Sequence, residues 1–138
     1  MRIPNYTILY VNDPLRSAAF YSRLLWKQPV AVSPTFCLFE LDSGLMLGLW
    51  SKHTVEPAAT VTGGGSEVGF AVASNEAVEA IYNDWVTWGM TIVQRPIEMD
   101  FGFTFVALDP DNHRLRVFAL TEEEAGEPDT EIESPALI

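Results

Sequence analysis

Hydrophobic and polar positions divide the chain into short elements of two different periods. Tyr6–Val11 is rich in β-branched and aromatic residues and reads as a strand. Asn12-Asp13-Pro14 follows. Asp13 is a good helix N-cap, and Pro14 suits the first helical position, where its missing N–H is not needed. Leu15, Ala19, Phe20 and Leu24 then recur at helical spacing and predict a short amphipathic helix to about Leu25. Three strands are expected after Pro29, at Val30–Ser33, Phe36–Leu41 and Leu45–Trp50. Asp42-Ser43-Gly44 closes the last two into a hairpin, with Gly44 able to take the positive φ such turns need. The pattern is lost from Ser51 to Ser66, where Pro57 and Gly63-Gly64-Gly65 point to a mobile connection.

The same order then returns. Glu67–Ala73 reads as a strand, and Ser74 caps a helix whose apolar stripe is Val78, Ile81, Tyr82 and Trp85, ended by Gly89. Thr91–Val93 begins another strand, followed by Phe101–Leu108 and Leu115–Leu120, the last pair joined by Asp109-Pro110-Asp111-Asn112. A shift of 61 residues places Val11 on Val72 and Tyr21 on Tyr82. A shift of 67 places Phe36 on Phe103, Leu38 on Phe105 and Asp42 on Asp109, and one of 68 places Leu47 on Leu115 and Trp50 on Phe118. The chain reads as two copies of one module. The fold class is α+β, with two βαβββ modules and curled mixed sheets.

Turn lengths then say which side chains share a face. If Leu41 and Leu45 pair, Gly48 lies opposite Leu38 and Trp50 opposite Phe36. By the same shifts, Arg116 falls beside Phe105 and Phe118 beside Phe103. One face is expected to carry Phe36, Trp50, Phe103, Phe105 and Phe118 alongside Arg116. A bulge in either loop would move the set to the other face.

Composition narrows the function classes. With 138 residues, 48% of them hydrophobic, the chain can bury a core as one domain over 1–121, with modules at about 5–50 and 67–120 and a linker at 51–66. Net charge is −11, and seven of the 19 carboxylates fall in 122–138, which holds no basic residue. That tail is expected to be a solvated, disordered extension. The acidic balance argues against nucleic acid or an anionic membrane as partner. No run approaches the roughly 20 apolar residues that span a bilayer, and Met-Arg-Ile-Pro-Asn lacks a signal peptide's apolar stretch, so a cytoplasmic protein is expected. Cys37 is the only cysteine, which excludes an intrachain disulfide, and its apolar setting reads as a buried inert thiol. His113 is expected to support its turn, and Asp109-Pro110-Asp111 to be a turn and not a calcium loop.

The opening "YTILYVNDPLRSAAFYSRLL", the duplication and the close "LDPDNHRLRVF" resemble the glyoxalase/bleomycin-resistance/extradiol-dioxygenase superfamily, the vicinal oxygen chelate proteins, over roughly residues 5–120. Its phenazine-resistance branch is most similar, through Ser33-Pro34-Thr35-Phe36, Trp50-Ser51, "SEVGF" at Ser66–Phe70 and "FGFTF" at Phe101–Phe105. The resemblance implies a homodimer. It also implies that the positions supplying metal ligands in metal-dependent members fall here on Tyr6, Gly48, Glu67 and Arg116. Gly48 offers no ligand and Arg116 stays protonated, so a metal-free site with no cofactor is expected.

The aromatics have two readings: they fill the core, or they line a slot opened by Gly48 and Gly69. Glu67 and Arg116 either pair with each other or leave Arg116 to grip a ligand carboxylate. The expected function is sequestration of a small planar aromatic compound, such as a phenazine-type antibiotic, by Tyr6, Phe36, Trp50, Glu67, Phe101, Phe103 and Arg116, with no catalytic residue. The competing readings are a lyase, isomerase or dioxygenase with a metal on Glu67 and further residues, and a metal-free catalyst with Glu67 as base.

Overall fold

In the computed structural model, which describes residues 2–122, the elements are β1 (Tyr6–Val11), α1 (Pro14–Leu25), β2 (Ala31–Val32), β3 (Phe36–Glu40), β4 (Met46–Ser51), β5 (Glu67–Ala71), α2 (Asn75–Thr87), β6 (Thr91–Met99), β7 (Gly102–Leu108) and β8 (Arg114–Leu120). The expected acidic tail lies outside the described residues beyond Glu122. Two compact units result among the described residues: 2–66 with Asp109–His113, and Glu67–Leu108 with 114–122.

The first unit holds a four-stranded sheet in the order β1-β4-β3-β2, with β1 parallel to β4 and the other pairs antiparallel. Asp13 caps α1 by accepting from the backbone N–H of Leu15 (3.2 Å) and Arg16 (3.4 Å), and Trp26 ends it at φ 56°. The helix buries Pro14, Ser17, Ala18 and Tyr21, not the expected stripe of Leu15, Ala19, Phe20 and Leu24. Leu15 is exposed and Phe20 and Leu24 are half-buried. Two small residues, Ser17 and Ala18, let the helix approach the sheet closely, and the buried Tyr21 hydroxyl finds an acceptor in Asp109 at 2.7 Å. Leu9, Val11, Cys37, Phe39, Leu47 and Leu49 complete this core.

The hairpin tip Asp109–His113 belongs with this first unit, although its sequence position assigns it to the second module. The Asp109 carboxylate accepts from Tyr21 Oη and from the backbone N–H of Asp111 (2.8 Å) and His113 (2.9 Å). Asp111 accepts from the Asn12 N–H at 2.9 Å, and His113 Nε2 donates to the Tyr10 carbonyl at 3.0 Å. These bonds use both Asp109 oxygens and confirm a structural turn, with His113 as its support. The connection 51–66 is anchored, contrary to the expected mobile segment. Val55 is buried, Thr62 Oγ1 donates to the Asp111 carbonyl, and a Cβ at Gly63 would collide with the Asn112 backbone.

The second unit repeats the topology in the order β5-β8-β7-β6, with β5 parallel to β8. Ser74 caps α2 by accepting from the Ala77 N–H at 3.1 Å, and the expected stripe faces inward with Val78 and Trp85 buried. Phe105 meets Tyr82 and Trp85 edge-on at 5.3 and 5.4 Å, so the odd-numbered residues of β7 face the helix.

Here the expected pairing is off by one residue. Arg116 pairs with Val106 and Phe118 with Thr104, where Phe105 and Phe103 were expected. The reason lies in the loop. Asp109 N–H bonds the His113 carbonyl, leaving three loop residues, Pro110-Asp111-Asn112, with Asn112 at φ 69°. The first hairpin has the same geometry: Leu41 bonds Leu45 around Asp42-Ser43-Gly44, with Gly44 at φ 96°. A four-residue loop was expected, so Phe103 and Phe105 lie on the helix side of the sheet, away from Arg116.

Candidate functional site

Each unit turns one sheet face toward its helix; the other face is exposed at Tyr6 and Ile8 in the first unit and at Glu67 and Arg114 in the second, where Thr104, Val106 and Phe118 are buried. On the first unit the open face carries Tyr6, Ile8 and Tyr10 from β1, Met46, Gly48 and Trp50 from β4, and Phe36 and Leu38 from β3. Phe36 pairs with Trp50 and Leu38 with Gly48, as expected. The Phe36 and Trp50 rings meet edge to face at 6.1 Å, both half-buried. A Cβ on Gly48 would lie 3.0 Å from the Phe36 ring and 3.4 Å from Ile8. The glycine therefore lets an aromatic ring settle on the strand, and the space expected above it is taken by Phe36. Tyr6 is 52% exposed. This face holds no charged group apart from Glu40 at its margin.

The second unit's open face is built on an ion pair. Arg116 Nε and Nη2 donate to the two oxygens of Glu67 at 2.8 and 3.0 Å, a side-on bidentate pair. Arg116 Nη1 donates to Gln94 Oε1 and Thr104 Oγ1, both at 3.2 Å, and Thr104 passes its own proton to the Val117 carbonyl. The guanidinium holds the Glu67 carboxyl below the usual carboxylate range, chiefly through these hydrogen bonds, against the opposing effect of burial. Phe101 lies beneath the Arg116 guanidinium at 5.9 Å and meets Phe118 edge-on at 6.2 Å. Gly69 is to Phe118 what Gly48 is to Phe36: its Cβ would stand 3.2 Å from the ring.

Of the expected site residues, Tyr6, Phe36 and Trp50 gather on the first face and Glu67, Phe101 and Arg116 on the second. Phe103 joins neither. Gln94, Thr104 and Arg114 were missed. Thr104 follows directly once the hairpin is counted correctly, whereas Gln94 reaches Arg116 from a strand whose pairing is irregular between Ile92 and Ile97, which no spacing rule foretells.

The profile of the Glyoxalase/Bleomycin resistance protein/Dioxygenase superfamily matches residues 3–117. The chain belongs to this superfamily. It is 32% identical over 120 residues to the phenazine antibiotic resistance protein EhpR of Enterobacter agglomerans, a match covering 85% of this chain and 92% of that one. Among solved structures, a protein of Agrobacterium tumefaciens studied in solution is 51% identical, covers 88% of this chain and all of its own, and superposes with a TM-score of 0.83. A glyoxalase/bleomycin resistance protein/dioxygenase from Nocardioides, 20% identical with 96% and 91% coverage, gives a TM-score of 0.78 and shares the fold.

The superfamily's metal positions can now be tested on this chain's geometry. Gly48 has no side chain, and the Phe36 ring covers it. Arg116 directs its donors onto both oxygens of the one good ligand, Glu67. Among the described residues, no three His, Cys, Asp or Glu side chains cluster closely enough to hold a metal ion. The residues present do not fit a divalent cation.

Proposed function

We propose that the protein is a metal-independent binding protein that sequesters small planar aromatic compounds of the phenazine type in the cytoplasm and so confers resistance, acting as a homodimer. The observation that carries this reading is the aromatic pair set over a glycine on each sheet, with Phe36 and Trp50 on the first and Phe101 on the second half-buried and Phe118 buried. Such faces offer a flat ligand stacking area at low cost in side-chain entropy. The family membership and the likeness to a phenazine resistance protein support the ligand class. The misfit of the metal positions supports metal independence. Exposed apolar side chains on β1 (Tyr6, Ile8) and β6 (Val93, Ile97, Met99) support burial against a second copy. No described helix is long and apolar enough to cross a membrane.

The test is a titration of tryptophan fluorescence with phenazine-1-carboxylate, with and without chelator, on the wild type and Trp50→Ala. Saturable quenching that ignores chelator is expected, and ligand stacked on the first face weakens about twofold to tenfold in the variant, since an aromatic pair supplies about 0.5–1.5 kcal/mol. Loss of binding on chelation would overturn the metal-independent reading and favour a metal-dependent enzyme.

A further inference from the structure

We infer that Arg114, and not Arg116, is the residue that recognises an acidic group on the ligand. The inference rests on the binding reading above and concerns the second unit's open face. Arg116 has five N–H donors, and four are already used: two on Glu67, one on Gln94 and one on Thr104. Its side chain is only 17% exposed. A ligand carboxylate seeking the bidentate edge of Arg116 would have to expel Glu67, leaving that carboxylate without its closest cation.

Arg114 stands two residues earlier on β8, so its side chain leaves the same face of the sheet. It is 51% exposed, and its closest acidic atom is Glu67 Oε2 at 3.8 Å, beyond hydrogen-bond reach. That oxygen already accepts from Arg116. Among the described residues Arg114 makes no side-chain hydrogen bond, so its planar donor fork is open to an anion.

The charges on the sheet give the same answer. Strands β5, β7 and β8 carry three charged residues, Glu67, Arg114 and Arg116, and on β6 Arg95 is balanced by Glu98. One positive charge is left over in a chain of net charge −11. The hydrogen bonding assigns that surplus to Arg114, beside Glu67 at the end of the face from which Arg116, Phe118 and Phe101 continue. A planar aromatic acid bound on this face matches this order, its ring against the half-buried Phe101 and its carboxylate on the exposed Arg114 guanidinium, which holds Glu67 only at 3.8 Å.

The experiment compares phenazine-1-carboxylate with unsubstituted phenazine by fluorescence titration of the full chain and of Arg114→Gln, Arg114→Lys and Glu67→Gln. The wild type is expected to prefer the acid. Arg114→Gln should weaken the acid by roughly fivefold to tenfold while leaving phenazine within twofold, the size of a half-exposed charge-assisted bond. Arg114→Lys, with charge but no fork, should fall between. Glu67→Gln, which removes the competing negative charge, should tighten the acid alone. An unchanged preference in Arg114→Gln overturns the inference and leaves the binding reading intact. No saturable response to either compound in the wild type overturns the reading, and the inference with it.

Discussion

The two modules share a topology and differ in what they place at equivalent points. In the first, Ile8 on β1 lies beside Gly48 on β4; in the second, Gly69 on β5 lies beside Arg116 on β8. The glycine has changed strands. In each case an aromatic ring from the sheet settles over it, Phe36 in one and Phe118 in the other. The partner position is then free to diverge, an isoleucine making one face apolar and an arginine making the other polar. Tyr6 and Met46 likewise stand where Glu67 and Arg114 stand. The duplication preserves a place for a ring and lets the charge vary around it. An apolar face sets no orientation on a flat ligand, whereas a face with an ion pair and a surplus guanidinium does.

The helix-side cores offer the strongest way to break this comparison, because it depends on the pairing of β7 with β8. Phe105 is fully buried against α2, and Phe103, half-buried, points the same way. Phe105→Ala is expected to cost about 3–5 kcal/mol in urea denaturation. A cost below about 1 kcal/mol would return Phe105 to the face of Arg116 and undo the three-residue loop that pairs Arg116 with Val106.

The helices sharpen the comparison at a smaller scale. Tyr21 and Tyr82 are equivalent by the 61-residue shift, yet the Tyr21 hydroxyl is buried on Asp109 while Tyr82 contributes its ring edge to Phe105. Burial, with Asp109 beside it, drives the Tyr21 hydroxyl far above its ordinary titration range, so it stays a donor throughout. Tyr21→Phe should destabilise by about 1–2 kcal/mol. Tyr82→Phe should stay within about 0.5 kcal/mol of wild type. Equal effects would mean that the tip Asp109–His113 is not held by its carboxylate.

Much of this was legible in the sequence, and the failures have specific causes. Strand and helix positions, the duplication and the first hairpin's pairing follow from periodicity and turn residues. The 61- and 68-residue shifts both hold, since Glu67 pairs with Arg114 as Tyr6 pairs with Met46. The 67-residue shift fails because it matches one aspartate with another. Asp42 is an exposed loop residue, while Asp109 is buried where the first copy has Leu41. A polar residue standing at an apolar position disguised the register, and only the tertiary partner Tyr21 explains why it is tolerated. The face of α1 was misread for the same reason. Its buried side uses Ser17, Ala18 and a hydroxyl-bearing Tyr21, which a count of large apolar residues passes over. The Glu67–Arg116 pair was foreseen as one alternative, but the two further bonds of Arg116 to Gln94 and Thr104 depend on side chains converging from two further strands.

The smallest expected effect separates the two faces by pH. The carboxyl of Glu67 is held below its ordinary value of 4.5 in the folded protein, first by hydrogen bonds from Arg116. A depressed carboxylate pKa contributes stability that is fully present above the unfolded value and is lost as pH falls through the folded one. The second unit's ion pair should therefore add to stability at pH 7 and begin to fail below about pH 4.5. The first unit's open face, with no such pair, adds nothing to that slope. Glu67→Gln should cost less than about 1 kcal/mol at neutral pH, because the pair is one-third exposed on the Glu67 side. Its stability should also fall less than that of the wild type between pH 7 and pH 3 in parallel urea titrations. Parallel acid limbs for the two proteins would show that Glu67 gains nothing from Arg116 on folding, and the two faces would then differ in composition but not in energetics.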